Sequence, residues 1–346
     1  MDEVIASVER ADARVLVRGP RDAIDMLAQL GGPFLEVLPT DAPLDSAPSV
    51  RVVSGAPAGA GWTRIALASE YEPDRVLWAN ERLRAIALVN ESSAWRDQQL
   101  LRSVRHLLRW QTYAAGDLFV HGGLIRHHGG GILVAGGKKS GKTSTILSAL
   151  LHGGADFVSN DDVTITEQDG EPVGYGWPRT LNIRTDVLLA LARSSPEVRQ
   201  LLSVGRHPTN RYPGRHRTEE AVAAEDGAPL PSSVWIRCVE LATVFGCGLA
   251  PASPISAVVF PRFEAGVGAG RVVRLDEAEA RATLLSNVES EATKYDPFLA
   301  GWFPHSDVER RNRLLERLLA GVPCYRLIQD MAQLGASTEL LIGAVA

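Results

Sequence analysis

Gly136-Gly137-Lys138-Lys139-Ser140-Gly141-Lys142-Thr143 satisfies the pattern G-x-x-x-x-G-K-[ST] at every fixed position. Glycines let the main chain turn tightly, so that its N–H groups converge on an anion. The residues before it, Ile132-Leu133-Val134-Ala135, read as a buried strand. The residues after it, from Ser144 to Leu151, read as a helix that Gly153-Gly154 stops, and a helix N-terminus adds its own positive dipole. Strand, glycine loop and helix start predict a nucleoside triphosphate site spanning residues 136–144. In it Lys142 reaches the β- and γ-phosphates and the Thr143 hydroxyl ligates Mg²⁺. Lysine usage points the same way. The chain has four lysines among its 36 basic Lys and Arg residues, and three of the four are Lys138, Lys139 and Lys142.

A phosphate loop needs a carboxylate, to hold Mg²⁺ through water or to take a proton from the nucleophile. The next apolar stretch, Ala155-Asp156-Phe157-Val158-Ser159, runs into Asn160-Asp161-Asp162 and then Val163-Thr164-Ile165. Neighbouring strand residues face opposite sides, so one of Asp161 and Asp162 is expected to face the phosphates. Either can then be the metal ligand with Thr143 or the proton acceptor. The competing reading is an Asx turn between two hairpin strands.

Further out the signals are plainer. Residues 1–92 read as a small α/β domain. Its strands are expected around Val15-Leu16-Val17, residues 34–38 and Val50-Arg51-Val52-Val53, and a helix around residues 20–30. From about Ala94 to Tyr113, Leu100, Leu101, Val104, Leu107 and Leu108 recur at helical spacing and lead into the second domain, residues 93–346. Residues 253–262 hold a buried strand candidate; residues 276–288 and 308–319 read as helices, with Asp276 and Glu279 as a capping box. Residues 206–217 carry four arginines and two histidines in a Pro- and Gly-containing loop. Arg211 and Arg215 there, and Arg179 upstream, are candidates for gripping an acceptor or spreading transition-state charge; a solvated loop is the plain alternative.

Composition bounds the rest. The chain has 346 residues, 45% hydrophobic and 22% charged, with net charge −5. These are values of a folded domain protein, and they argue against a nucleic-acid binder, which needs a basic surface. No apolar run approaches a membrane span. The start, Met1-Asp2-Glu3-Val4, lacks the order of a signal peptide. Three cysteines form no CxxC pair and imply neither a disulfide framework nor a zinc site. The expected compartment is the cytoplasm.

Residues 121–165 resemble the catalytic core of the HPr kinase/phosphorylase family, whose fold is related to phosphoenolpyruvate carboxykinase. The resemblance rests on His121-Gly122, the apolar strand, Gly141-Lys142-Thr143, the short glycine-ended helix and Asp161-Asp162. Gly176-Trp177-Pro178-Arg179 and Val259-Phe260-Pro261-Arg262 resemble segments of HPr-kinase-like proteins from natural-product gene clusters, some of which phosphorylate precursor peptides. It implies an α/β fold: a P-loop kinase core with a mixed β-sheet and flanking helices, plus the small N-terminal domain. It implies that His121 sits beside the acidic group near the transferred phosphate. Asn160 stands where the family's first Asp would be, and a one-residue shift puts Asp161 and Asp162 in the acidic roles. Asp161 is favoured, as metal ligand with Thr143 and as proton acceptor, with Asp162 as the alternative base. The Leu-Glu-x-Arg-Gly type segment of true HPr kinases is not evident. The expected activity is transfer of the γ-phosphoryl group of ATP, with Mg²⁺, to a seryl or threonyl hydroxyl of a peptide or protein, or to a small-molecule alcohol. The alternative is a nucleotide-dependent regulatory protein or ATPase with weak or no transferase activity. Homo-oligomerisation stays open.

Overall fold

The computed structural model describes residues 2–10, 12–89, 92–213, 222–223, 229–289 and 296–345. It divides into two compact units, one of residues 1–116, 211–215 and 291–307, the other of residues 117–210, 216–290 and 308–346. Both are mixed α/β.

In the first unit a mixed sheet runs, in spatial order, Glu36–Pro39, Glu3–Arg10, Ala13–Pro20, Ser49–Val52, Ala85–Leu88, Arg75–Asn80 and Thr63–Leu67. Its middle pairings, Ala13–Pro20 with Ser49–Val52 and Ser49–Val52 with Ala85–Leu88, are parallel. The centres of these strands, Val15-Leu16-Val17, Val50 and Ala85–Leu88, are apolar because they are buried on both faces. The helix Arg21–Gly31 packs on this sheet, as does the helix Ser93–Ala114, which therefore belongs to this unit. The unit also buries a charged cluster. Asp296 lies 2.8 Å from the Arg75 guanidinium and 2.9 Å from His106 Nδ1.

In the second unit the long strand Ala252–Phe263 is the hub. Its first residues pair antiparallel with Glu171–Tyr175. Farther along it pairs parallel with Gly130–Ala135 on one edge and Cys324–Gln329 on the other. Beyond Gly130–Ala135 come Gly122–His127, antiparallel to it, and then Asp156–Ser159, antiparallel in turn. Asp156–Ser159, Gly130–Ala135, Ala252–Phe263 and Cys324–Gln329 therefore all end at the same edge of the sheet. Outside the carboxyl ends of such strands is where α/β sheets bind ligands. The core beneath is aliphatic, with Leu124, Leu133, Val158, Ile165 and Val258 at 0% exposure. The helices Lys142–His152 and Leu334–Val345 pack against each other.

The two helices expected near the C-terminal end form as Glu277–Leu285 and Val308–Gly321. Only half of the expected capping box is present. Asp276 accepts from the Glu279 N–H at 2.9 Å, whereas the Glu279 carboxylate pairs with Arg326 at 2.6 Å. A cross-element charge outbids the local bond. Among the described residues, no helix is long and apolar enough to cross a membrane.

Candidate active site

The phosphate loop leaves the buried strand Gly130–Ala135 at Gly136 and enters the helix Lys142–His152 through Gly141. Gly141 has φ +107°, in the region that favours glycine. A Cβ there would lie 2.7 Å from Gln329 Nε2 and 2.9 Å from the Phe263 ring. The motif's second glycine is thus required twice, by conformation and by close approach. Thr145 ties the turn down: its N–H and hydroxyl both donate to the Gly141 carbonyl, at 2.9 and 3.0 Å. The first-turn N–H groups have no partner within the helix and belong to the loop's mouth.

Lys142 is 8% exposed and its ammonium donates to the carbonyls of Gly136 and Gly137 at 2.6 and 3.1 Å. Burial pushes its pKa below the ordinary lysine value, and the negative charge of Asp161 opposes that shift. Thr143 Oγ1 donates to Asn160 Oδ1 at 3.2 Å. That bond leaves the oxygen lone pairs of Thr143 available to a cation. Two polar atoms of the site, Asn160 Nδ2 and Ser140 Oγ, are buried without a partner among the described residues.

A cavity of about 660 Å³ opens over the loop. Lys138, Lys139, Ser140, Thr143 and Ser144 line its floor together with Gly141 and Lys142. His121 and Asp161 line it from the side of the acidic strand. Arg179, Asn182 and Arg184 contribute from the segment ending in the strand Leu181–Arg184, and Asp186, Val187, Phe263 and Met331 complete it.

The structure separates the two candidate carboxylates. Asp161, at φ +70°, lines the cavity. Asp162 turns inward, is 0% exposed, and pairs with Arg179 at 2.7 Å. Its main-chain carbonyl accepts from the Ser159 hydroxyl. Asp162 is thus placed to hold Arg179 at the cavity wall. His121 reaches Asp161 through the main chain: its Nδ1 lies 3.2 Å from the Asp161 carbonyl oxygen, so the N–H form donates there. It steadies the segment that carries the carboxylate.

Of the arginines expected at the acceptor, Arg179 lines the cavity. Arg211 ends a 3-10 turn, Pro208–Arg211, and is not one of the lining residues. Arg215 lies outside the described residues. Several site residues carried no signal in the sequence. Asn287, at the end of the helix Glu277–Leu285, accepts from the Gly136 N–H at 3.0 Å and, through its carbonyl, from the His121 N–H at 2.8 Å. Phe263 and Met331 arrive from strand ends more than 100 residues from the loop. Asn160 was visible beside the acidic pair, but not as the partner of Thr143.

No protein-family model matches the chain. No curated protein matches it in sequence. Among solved structures, the Hpr(Ser) kinase/phosphatase from Coxiella burnetii is similar at 8% identity and a TM-score of 0.27, over 65% of this chain and 95% of that one.

Proposed function

We propose that the second unit is a Mg²⁺-ATP-dependent phosphotransferase of the HPr-kinase-like P-loop type, acting on a hydroxyl acceptor in the cytoplasm. The observation that carries this is the placement of Lys142, Thr143 and Asp161 around one cavity, at the carboxyl ends of parallel strands. The residues fit the group. The loop amides, Ser140 Oγ and Asn160 Nδ2 offer donors for phosphate oxygens, and Thr143 with Asp161 offers oxygen ligands for Mg²⁺.

Mg²⁺-ATP, when bound, supplies the γ-phosphoryl group. Lys142 and the loop amides hold the phosphates and place positive charge where negative charge develops. Asp161 takes the proton of the acceptor hydroxyl, as its oxygen becomes the nucleophile. His121 holds the main chain of Asp161 in position, and Asp162 holds the Arg179 guanidinium toward the acceptor side. A second reading, a nucleotide-dependent regulatory protein or ATPase, is favoured by one observation: the side chain bonded to Thr143 is the neutral Asn160. The chain thus brings one carboxylate fewer to a metal.

The test is acceptor-dependent turnover. Wild type should release ADP faster with a serine-containing peptide or an alcohol acceptor present, and the phosphate should end on that acceptor. Lys142→Ala should abolish nucleotide binding or turnover while leaving the circular dichroism spectrum unchanged. Wild-type affinity and turnover in that variant would sink the reading; ADP release that never labels an acceptor would favour the ATPase.

A further inference from the structure

The cavity has two chemically different ends, and sheet order says which is which. Asp161 follows the strand on one side of the phosphate loop, while Phe263 and Met331 follow strands on the other. A triphosphate on the loop with its γ end toward Asp161 directs the rest of the nucleotide toward Phe263 and Met331. The Phe263 ring lies against Gly141, and Val187, from the helix Thr185–Leu191, faces the same cavity. These three side chains are its apolar wall.

Among the described residues, the polar side chains beside Val187 and Met331 are already engaged, and Asn182, the amide that also lines the cavity, carries both a donor and an acceptor and so favours neither purine edge. Both Asp186 oxygens accept from Arg184, one of them at 3.0 Å, and the same oxygen accepts from the Val187 N–H at 2.8 Å. Gln329 is 1% exposed and its amide donates to Thr145 Oγ1 at 2.9 Å. The Asp330 carboxylate accepts from the N–H groups of Gly266 and Ala332 at 2.7 and 3.0 Å. Reading a base edge requires a donor or acceptor kept for it, and strong discrimination comes from leaving such a group unpaired by the wrong ligand.

Building on the phosphate-loop reading above, we propose that Phe263, Met331 and Val187 form the nucleobase subsite. They grip the base by face and edge contact without reading its hydrogen-bonding edge, so adenine and guanine nucleotides bind alike. Every base has a π-face, which is why stacking is tolerant of base identity.

The experiment is calorimetric titration of the full chain with the Mg²⁺ complexes of ATP, GTP and inorganic tripolyphosphate. In the wild type, ATP and GTP should bind within about threefold of each other and both more tightly than tripolyphosphate. Phe263→Ala should weaken both nucleotides by about tenfold more than it weakens tripolyphosphate, the scale of one lost base stack, because the ring's packing on Gly141 is shared by all three ligands. If that variant also loses tripolyphosphate, its fold is impaired, and Met331→Ala must then show the common loss for ATP and GTP. Unchanged nucleotide affinity in a variant that still binds tripolyphosphate would overturn the subsite, as would a wild-type preference of about 100-fold for one purine. In either case tripolyphosphate binding that needs Lys142 leaves the phosphate loop standing. Absence of binding by all three ligands would remove the loop reading and the subsite together.

Discussion

Asp156 and Asp161 are five positions apart and chemically identical, yet their surroundings assign them different work. Asp156 pairs with Arg126 at 2.6 Å and accepts from the Gly248 N–H at 3.0 Å. Asp161 faces the cavity and the charge of Lys142. Asp161→Asn is therefore expected to cost about 10²–10⁴ in turnover, the usual loss for a positioned proton acceptor, with little change in Tm. Asp156→Asn should do the reverse: near-normal turnover and a Tm lower by about a few degrees at most, since its ion pair is partly exposed. Steady-state rates and melting curves on the two variants check this. Equal, small rate losses in both would mean that the acidic pair is only a turn.

At the scale of the element, the phosphate loop is held from four directions. Asn287 anchors its first N–H, Thr145 its last carbonyl, and Gln329 and Phe263 close over Gly141. Gly154 is a useful comparison. It too has a positive φ, +61°, but a Cβ there would meet nothing within 4 Å. Gly154→Ala should cost about 1 kcal/mol, the backbone penalty alone, with tripolyphosphate affinity retained. Gly141→Ala adds a clash with a ring and a buried amide, so it should lose tripolyphosphate binding as well as stability. Matched melting and titration of the two variants decides it; similar behaviour of both would show that the packing over Gly141 yields easily.

At the scale of the whole molecule, stability carries a pH dependence that originates in the first unit. His106 is buried, and its pKa is lowered from 6.5 to about 4. Burial is the main cause. Asp296 pulls the other way, but it also serves Arg75, and Arg105 and Arg75 both repel a second positive charge. Arg105 lies 3.4 Å from Nε2, so the neutral ring accepts there, with its Nδ1 2.9 Å from the Asp296 carboxylate. The unfolded chain thus takes up the proton first. Stability is full above pH ~6.5 and falls as pH drops toward ~4, by about 3 kcal/mol at most, then levels with respect to this group. Asp296, whose pKa is depressed, keeps its own contribution across that window and loses it at lower pH. Urea midpoints from pH 7.5 to 4.5 should slope in the wild type and flatten in His106→Gln. Parallel slopes would move the acid sensitivity elsewhere.

What the sequence alone determined is whatever a short run of residues can encode. The glycine loop is local: its glycines, lysine and hydroxyl lie within one turn, so the motif was legible from eight residues, and its strand and helix from the apolar residues on either side. The apolar periodicities were legible for the same reason, and they placed the helices Arg21–Gly31, Ser93–Ala114 and Val308–Gly321 within about two residues. Strand alternation gave that one of Asp161 and Asp162 faces outward; that Asp162 is the one buried against Arg179 it did not give. Tertiary structure decided everything that depends on which strand ends meet. Phe263 and Met331 join the site because parallel pairing brings distant strand ends to one edge of a sheet, and register across a sheet leaves no mark within any one segment. Asn287 arrives after the helix Glu277–Leu285 and Val187 on the helix Thr185–Leu191. The half-formed capping box at Asp276 has the same origin. Glu279 has the local sequence to complete it, and a side chain from another strand, Arg326, offers its carboxylate the opposite charge.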